Sequence, residues 1–404
     1  MLQLSNKMKK KNIVISFLYL VFLIGCTFFV GIEKLNTQVD SLNMLLDKEE
    51  IETLVQAADS IWVIKPVTIT SYRAERSQGG LHDYYSEGSY WWPDPQCMSC
   101  KYIRKDGHRN PNNFKAHKIA IRNFSNSVSI LTAAYHLTSN ETYARRAVEH
   151  LDAWFISEDT KMNPSLLYAQ AIKGICSGRG IGIIDAVKLI DVALSIEYLI
   201  DRQILKGDTL TGVRNWFGAF AEWLTTHPYG IKEKNNNNNH STWWGAQLAA
   251  YASVAERQEY TEISQAEFKK QLDIQMSQDG SFPRELSRTR PFHYMNYNLN
   301  AWTRFAHIAS TPEENLWKYK AKYGDISKAI EYAVTYYQDA SLWKHATELE
   351  TEIKPMSDNF LILTYWAYKD RKYKDLWEKL PPIRKGKVER SVNILLYAIN
   401  FCNE

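Results

Sequence analysis

Two neighbouring residues, Asn239 and His240, are followed 54 residues after the histidine by Tyr294, with Arg284, Arg288 and Arg290 just before it. An Asn, a His, an Arg and a Tyr are the parts needed to break a uronic-acid polymer by β-elimination. The C5 proton beside a uronate carboxylate is only weakly acidic. Its removal requires that the carboxylate charge be neutralised and the enolate-like species stabilised. Amide and guanidinium groups do this by hydrogen bonding, the guanidinium as a two-pronged fork. A base must then take the proton, and an acid must protonate the departing glycosidic oxygen. An imidazole titrates at about 6.5 and a phenol at about 10, so His suits the base and Tyr the acid, or a base where a cation lowers it. Taken alone, the asparagine run 235–239 reads as a solvated loop. The later Arg and Tyr single out Asn239 and His240 and leave Asn235–Asn238 as loop.

Candidate substrate contacts surround these residues. The chain carries 13 Trp, 24 Tyr and 15 Phe. One stretch gathers Tyr84, Tyr85, Glu87, Trp91 and Trp92, then Arg104 and Lys105. Ring faces stack on pyranoses and charges take hydroxyls and carboxylates, although the same stretch also reads as a structural cap with its tryptophans buried. Gln170 and Arg179 lie in another irregular stretch, where Arg179 can meet an anion at a helix start or merely cap a neighbouring helix. The glycines around it lack the preceding strand that a nucleotide-binding loop needs. Trp243, Arg290, His293 and Tyr297 complete the set expected to touch substrate.

The elements that must position these residues read as helix after helix. In 183–201 the residues Ile183, Val187, Ile190, Leu194 and Tyr198 recur at spacings of three and four, which is one helical face. Ala144, Ala147, Val148, Leu151 and Trp154 repeat the pattern over 140–155, where Ser139 or Asn140 can cap the start. Similar segments appear near 49–62, 115–137, 210–226, 242–256, 263–276, 298–310, 325–339, 358–369 and 389–402. No comparable series of alternating strands is visible. The expectation is an all-α domain of antiparallel helical hairpins, stacked as a solenoid or closed into an (α/α) toroid around a cleft. Stretches 78–113, 162–182, 228–241 and 279–297 fall outside the helical series and carry the candidate residues other than Trp243.

The Asn-Asn-His run at 238–240, with Tyr294 in an Arg-x-Arg-x-x-His-Tyr context, resembles the alginate lyase superfamily. So do the segments from His82 to Pro95, 102–111, 162–172 and 178–185, and the resemblance covers roughly residues 50–375. It implies an incomplete (α/α) toroid and elimination on an anionic polysaccharide, mannuronate-rich alginate first and glucuronan next, without a metal or other cofactor. Asn239, His240 and Tyr294 match the family's catalytic Asn, His and Tyr. The family's Arg stands seven residues before its Tyr, where this chain has Ser287. Arg288 takes that role here, with Arg290 and Arg284 in reserve.

Two other readings compete. A glycoside hydrolase on a similar toroid would use two carboxylates from Asp83, Glu87 and Asp94. A non-catalytic glycan-binding lipoprotein would need only the aromatic platforms.

The N-terminus reads as an export signal, with Lys7, Lys9, Lys10 and Lys11 ahead of an apolar run from Ile13 to Val30. Leu23-Ile24-Gly25-Cys26 resembles a lipobox, which implies a signal over 1–25, acylation of Cys26, a tether over 26–46 and a catalytic body over 47–404. An uncleaved membrane anchor is the alternative. Either way the body is exported, and a lipidated one is periplasmic or held at the cell envelope. Any membrane attachment is through this end alone. Removal of 1–25 leaves 45 basic and 45 acidic residues, a balance that argues against a general nucleic-acid binder. Cys97 and Cys100 form a lone CxxC without a second pair, so a zinc site is not expected, and a local disulfide or two free thiols both remain open.

Overall fold

The computed structural model describes residues 46–97, 100–382 and 387–401. The expected signal, Cys26 and all but the last residue of the tether lie outside these. The chain divides into two units, Met1–Glu49 and Glu50–Glu404, and the second is the helical body.

Its helices fall where the periodicity places them. The Ala116–Thr138, Glu141–Phe155, Leu189–Asp201, Gly207–Thr226, Asn239–Ala255, Gln258–Gln275, Pro291–Ala309, Ile326–Gln338 and Asn359–Tyr368 helices pack as neighbouring antiparallel pairs. At the second of these the Asn140 side chain accepts from the Thr142 amide, capping the start, while Ser139 ends the preceding helix in the left-handed region.

The Asn239–Ala255 helix is the hub, packed on the helices that begin at Leu189, Gly207, Gln258 and Pro291. It is buried on every side because small residues alternate with large ones all round it, instead of forming one apolar stripe. Gly245 lets the Phe305 ring come so close that a Cβ there would stand 2.2 Å from it.

Several boundaries differ from expectation. The segment expected as one helix from 183 is a 3-10 helix, Gly180–Ala186, followed by Leu189–Asp201. The stretch expected as loop over 228–241 contains a helix, Pro228–Lys234, and the start of the hub helix. Likewise 279–297 contains the short helix Pro283–Leu286, and Pro291 opens a long helix that carries His293, Tyr294 and Tyr297. Proline at the first helical position gives up an amide that would have had no partner. The Arg371–Lys379 helix escapes the sequence pattern because only Tyr373 and Trp377, four apart in a charged segment, are buried. Strands among the described residues are short: Tyr85–Glu87 pairs in parallel with Tyr168–Ala171, and Trp91–Trp92 pairs antiparallel with Ile103–Arg104. Cys97 and Cys100 form a disulfide in the turn of that second pair. No helix among the described residues is long and apolar enough to cross a membrane.

Candidate active site

The asparagine run is built, not slack. The Asn235 amide donates to the Ile231 carbonyl at the end of the Pro228–Lys234 helix, and that of Asn236 donates to Glu233 Oε2 at 2.6 Å. Asn237 takes a left-handed backbone, φ 55°, which asparagine tolerates better than most residues. Asn238 caps the hub helix, its Oδ1 accepting from the His240 amide at 3.0 Å. Short amide side chains complete local backbone turns in this way, so the run folds as a set of caps.

His240 is thereby held on the first turn of the hub helix, beside Glu233. Its Nδ1 lies 2.6 Å from Glu233 Oε1, and Glu233 is only 1% exposed. An ionised carboxylate can only accept, so Nδ1 carries the proton and the lone pair sits on Nε2. Asn239 turns the other way. Its amide nitrogen lies 2.9 and 2.8 Å from the two oxygens of Glu285, and its backbone N–H donates to Glu285 Oε1 at 2.6 Å. Burial pushes the Glu285 carboxyl up from its ordinary range, while Asn239, Arg288 and His240 pull it back.

Arg288 and Tyr294 form the other half. Arg288 Nη2 donates to the Tyr294 hydroxyl at 2.8 Å, with the guanidinium 3.8 Å from the ring centroid. The hydroxyl also lies 3.1 Å from that of Tyr90. Arg288 is steadied by Asp106 at 3.4 Å, which also accepts from Thr289 Oγ1 and pairs with Arg104. Against the burial that raises it, these arginines hold the Asp106 carboxyl low. Burial and the Tyr90 hydrogen bond raise the Tyr294 phenol above its ordinary range more than Arg288 lowers it, so it keeps its proton at neutral pH. Burial, followed by Arg109, Arg290 and Arg288, lowers His293 and keeps that imidazole neutral.

Of the arginines before Tyr294, the structure brings Arg288 to the hydroxyl. Arg284 instead donates to the Asn236 carbonyl, and Arg290 is exposed. The aromatic stretch divides. Tyr84 and Tyr85, expected as stacking faces, are core residues at 1% and 3% exposure, with hydroxyls donated to Asp185 and Glu87. Glu87 is also taken, by Arg76 and the Phe114 amide. Trp243, too, is buried, its ring against Tyr297 at 5.2 Å. These four are corrected from substrate contacts to packing and loop-holding residues. Gln170 accepts from Arg179 through both its carbonyl and its side chain and donates to Asp185. It orients Arg179, whose guanidinium lies 5.7 Å from the Trp91 ring centroid. Trp91 and Trp92 are half-buried, Lys105 stands over Trp92 at 5.4 Å, and Arg104 is exposed. His293 and Tyr297 stack one turn apart on the long helix, and burial raises the Tyr297 phenol.

Sequence reasoning missed Glu233, Glu285, Tyr90 and Asp106. Glu233 stands seven residues before His240, a spacing that carries no signal until 228–234 is known to be helical. Among the described residues, no group of three or more His, Cys, Asp or Glu side chains is placed to hold a metal ion.

The family model described as alginate lyase matches residues 68–343, more than half of the chain. The chain belongs to the alginate lyase family. A solved alginate lyase from Bacteroides ovatus is 28% identical, with 89% of this chain and 97% of that one covered at a TM-score of 0.78. Alginate lyase A1-III from Sphingomonas species A1 is 19% identical, with 83% of this chain and 87% of that one covered at a TM-score of 0.53. A complex of alginate lyase A1-III with a tetrasaccharide gives 17% identity, 86% and 90% coverage and a TM-score of 0.57. The last two show the fold alone. No curated protein matches. The protein is a polysaccharide lyase on the (α/α) toroid of this family.

Proposed function

We propose that this lyase cleaves mannuronate-rich alginate by β-elimination, with polyglucuronate as the next substrate. The observation that carries the reading is the Arg288 guanidinium 2.8 Å from the Tyr294 hydroxyl, with His240 Nδ1 held 2.6 Å from the buried Glu233 carboxylate. Arg288 neutralises the uronate carboxylate, His240 Nε2 takes the C5 proton, and Tyr294 gives its proton to the leaving oxygen. The C5–H and C4–O bonds break as the C4–C5 double bond forms, and no metal is called on because Arg288 supplies the positive charge. Half-buried Trp91 and Trp92, with Arg179, Arg104 and Lys105 around them, suit a chain of anionic pyranoses. Acylation of Cys26 would hold the body at the cell envelope.

Each carboxylate that a hydrolase reading would call on already holds a loop in place. Asp83 accepts from Asn163 and the Gly80 amide, Glu87 is held by Arg76, and Asp94 accepts from the Gln96 amide.

The test is ultraviolet absorbance of the soluble body mixed in parallel with polymannuronate, polyguluronate and polyglucuronate. Absorbance rising with polymannuronate, from the new conjugated double bond, is the expected result. His240→Ala and Tyr294→Phe are expected to abolish it while leaving the melting temperature within a few degrees. Shortened polymer without absorbance, or full turnover in both variants, sinks the reading.

A further inference from the structure

The reaction needs the Asn239-His240 half and the Arg288-Tyr294 half held at a fixed separation, yet they lie on different elements. Beyond the packing of the hub helix on the Pro291–Ala309 helix, two hydrogen-bonded ties join the short Pro283–Leu286 helix to the asparagine run and the hub helix. The exposed one is Arg284 to the Asn236 carbonyl at 3.0 Å. The buried one is Glu285, which sits on the short Pro283–Leu286 helix and whose carbonyl accepts from the Arg288 amide at 3.1 Å. Its carboxylate meanwhile receives both the side-chain and the backbone N–H of Asn239, at the start of the helix that carries His240. Glu285 and Asn239 are each 1% exposed, and the remaining polar side-chain atom of Asn239, Oδ1, is buried without a hydrogen-bond partner. The nitrogen, the only donor of that side chain, is given to two carboxylate oxygens, and the oxygen can only accept, so the amide has no group with which to neutralise a polymer carboxylate.

We infer that Glu285 is a positioning residue and that Asn239 acts through it: together they form a buried clamp that sets the distance between His240 and Arg288. Asn239 in this chain therefore does not neutralise the uronate carboxylate, a task left to Arg288. The inference rests on the lyase reading of the site. It concerns which residues touch substrate and which hold the others in place. A displacement of about 1 Å between reacting groups is enough to cost on the order of 100-fold in rate, so the clamp belongs to the catalytic geometry although it touches no substrate.

The test exchanges the two partners. Asn239→Asp sets two buried carboxylates against each other, and Glu285→Gln sets two amides together, whereas Asn239→Asp with Glu285→Gln restores one carboxylate and one amide with the polarity reversed. In that double variant the side-chain oxygen of the new glutamine still accepts from the backbone N–H of residue 239. Turnover on polymannuronate and the melting temperature are measured for all four proteins. The expected result is a kcat about 100-fold down in Asn239→Asp, recovered to within about tenfold in the double variant, with KM little changed throughout and the melting temperature recovered in parallel. A double variant that recovers its melting temperature but stays as slow as Asn239→Asp overturns the inference, because an Asp touching substrate would repel the carboxylate. A melting temperature that does not recover overturns it too, since then no clamp is present. Wild-type protein inert on every uronate polymer removes the lyase reading, and the melting cycle still decides whether the two residues are clamped.

Discussion

His240 illustrates how a residue's chemistry depends on a neighbour that the motif does not contain. Glu233 fixes which imidazole nitrogen carries the proton, and its burial keeps water from competing for that hydrogen bond. Glu233→Gln keeps the size but removes the charge, and its amide can donate to Nδ1 and so move the lone pair off Nε2. Its kcat on polymannuronate is expected to fall at least about tenfold, with KM near that of the wild type. Initial rates read by absorbance check this, and a kcat within about twofold of wild type would detach Glu233 from the chemistry. The motif was legible because Asn, His, Arg and Tyr are residue types with few bland explanations in that combination. Glu233 and Glu285 were not, since a glutamate among lysines or arginines reads as a solvated charge. Tyr90 was hidden among other aromatics, and only the folded chain distinguishes it, by its hydroxyl, from core tyrosines such as Tyr84.

Helices were legible wherever an apolar face repeats over three turns or more, which is why the Glu141–Phe155 and Ile326–Gln338 helices fall within a few residues of expectation. The short helices Pro228–Lys234 and Pro283–Leu286 were not, being too brief to show a period, and they carry Glu233 and Glu285. The first of these packs on the 3-10 helix Gly180–Ala186, where a Cβ on Gly180 would stand 2.7 Å from the Tyr229 carbonyl oxygen. A backbone oxygen cannot yield as a side-chain tip does. Gly180→Ala therefore has to push the Pro228–Lys234 helix outward, and Glu233 with it. The expected cost is about 1–3 kcal/mol in stability, together with a loss of kcat that Glu233→Gln does not deepen in the double variant. Urea unfolding and turnover measured on the same preparations check both parts; a stable but slow variant would still agree with a displaced Glu233, whereas a fast one would not.

Across the helical body, polar groups hold together surfaces that hydrophobic patterning alone leaves unspecified. Asp358 stands just before the Asn359–Tyr368 helix, accepts from the Tyr337 hydroxyl on the Ile326–Gln338 helix, and meets Asn300 on the helix that carries Tyr294. Burial pushes its carboxyl up to about 6, with Tyr337 and Asn300 pulling the other way. In the unfolded chain the same carboxyl releases its proton at about 4. Between those values the folded protein binds more protons than the unfolded chain, so this residue's contribution to stability is whole below about pH 4 and is lost as pH rises through about 6. Asp358→Asn cannot ionise and keeps an oxygen for Tyr337. It is therefore expected to match wild type near pH 4 and to exceed it by about 2 kcal/mol at pH 8. Urea midpoints at the two pH values decide the matter. The effect lies in the difference between them, so a variant offset from wild type by the same amount at both would mean that Asp358 stays ionised in the fold, stabilised by Tyr337 more than it is penalised by burial.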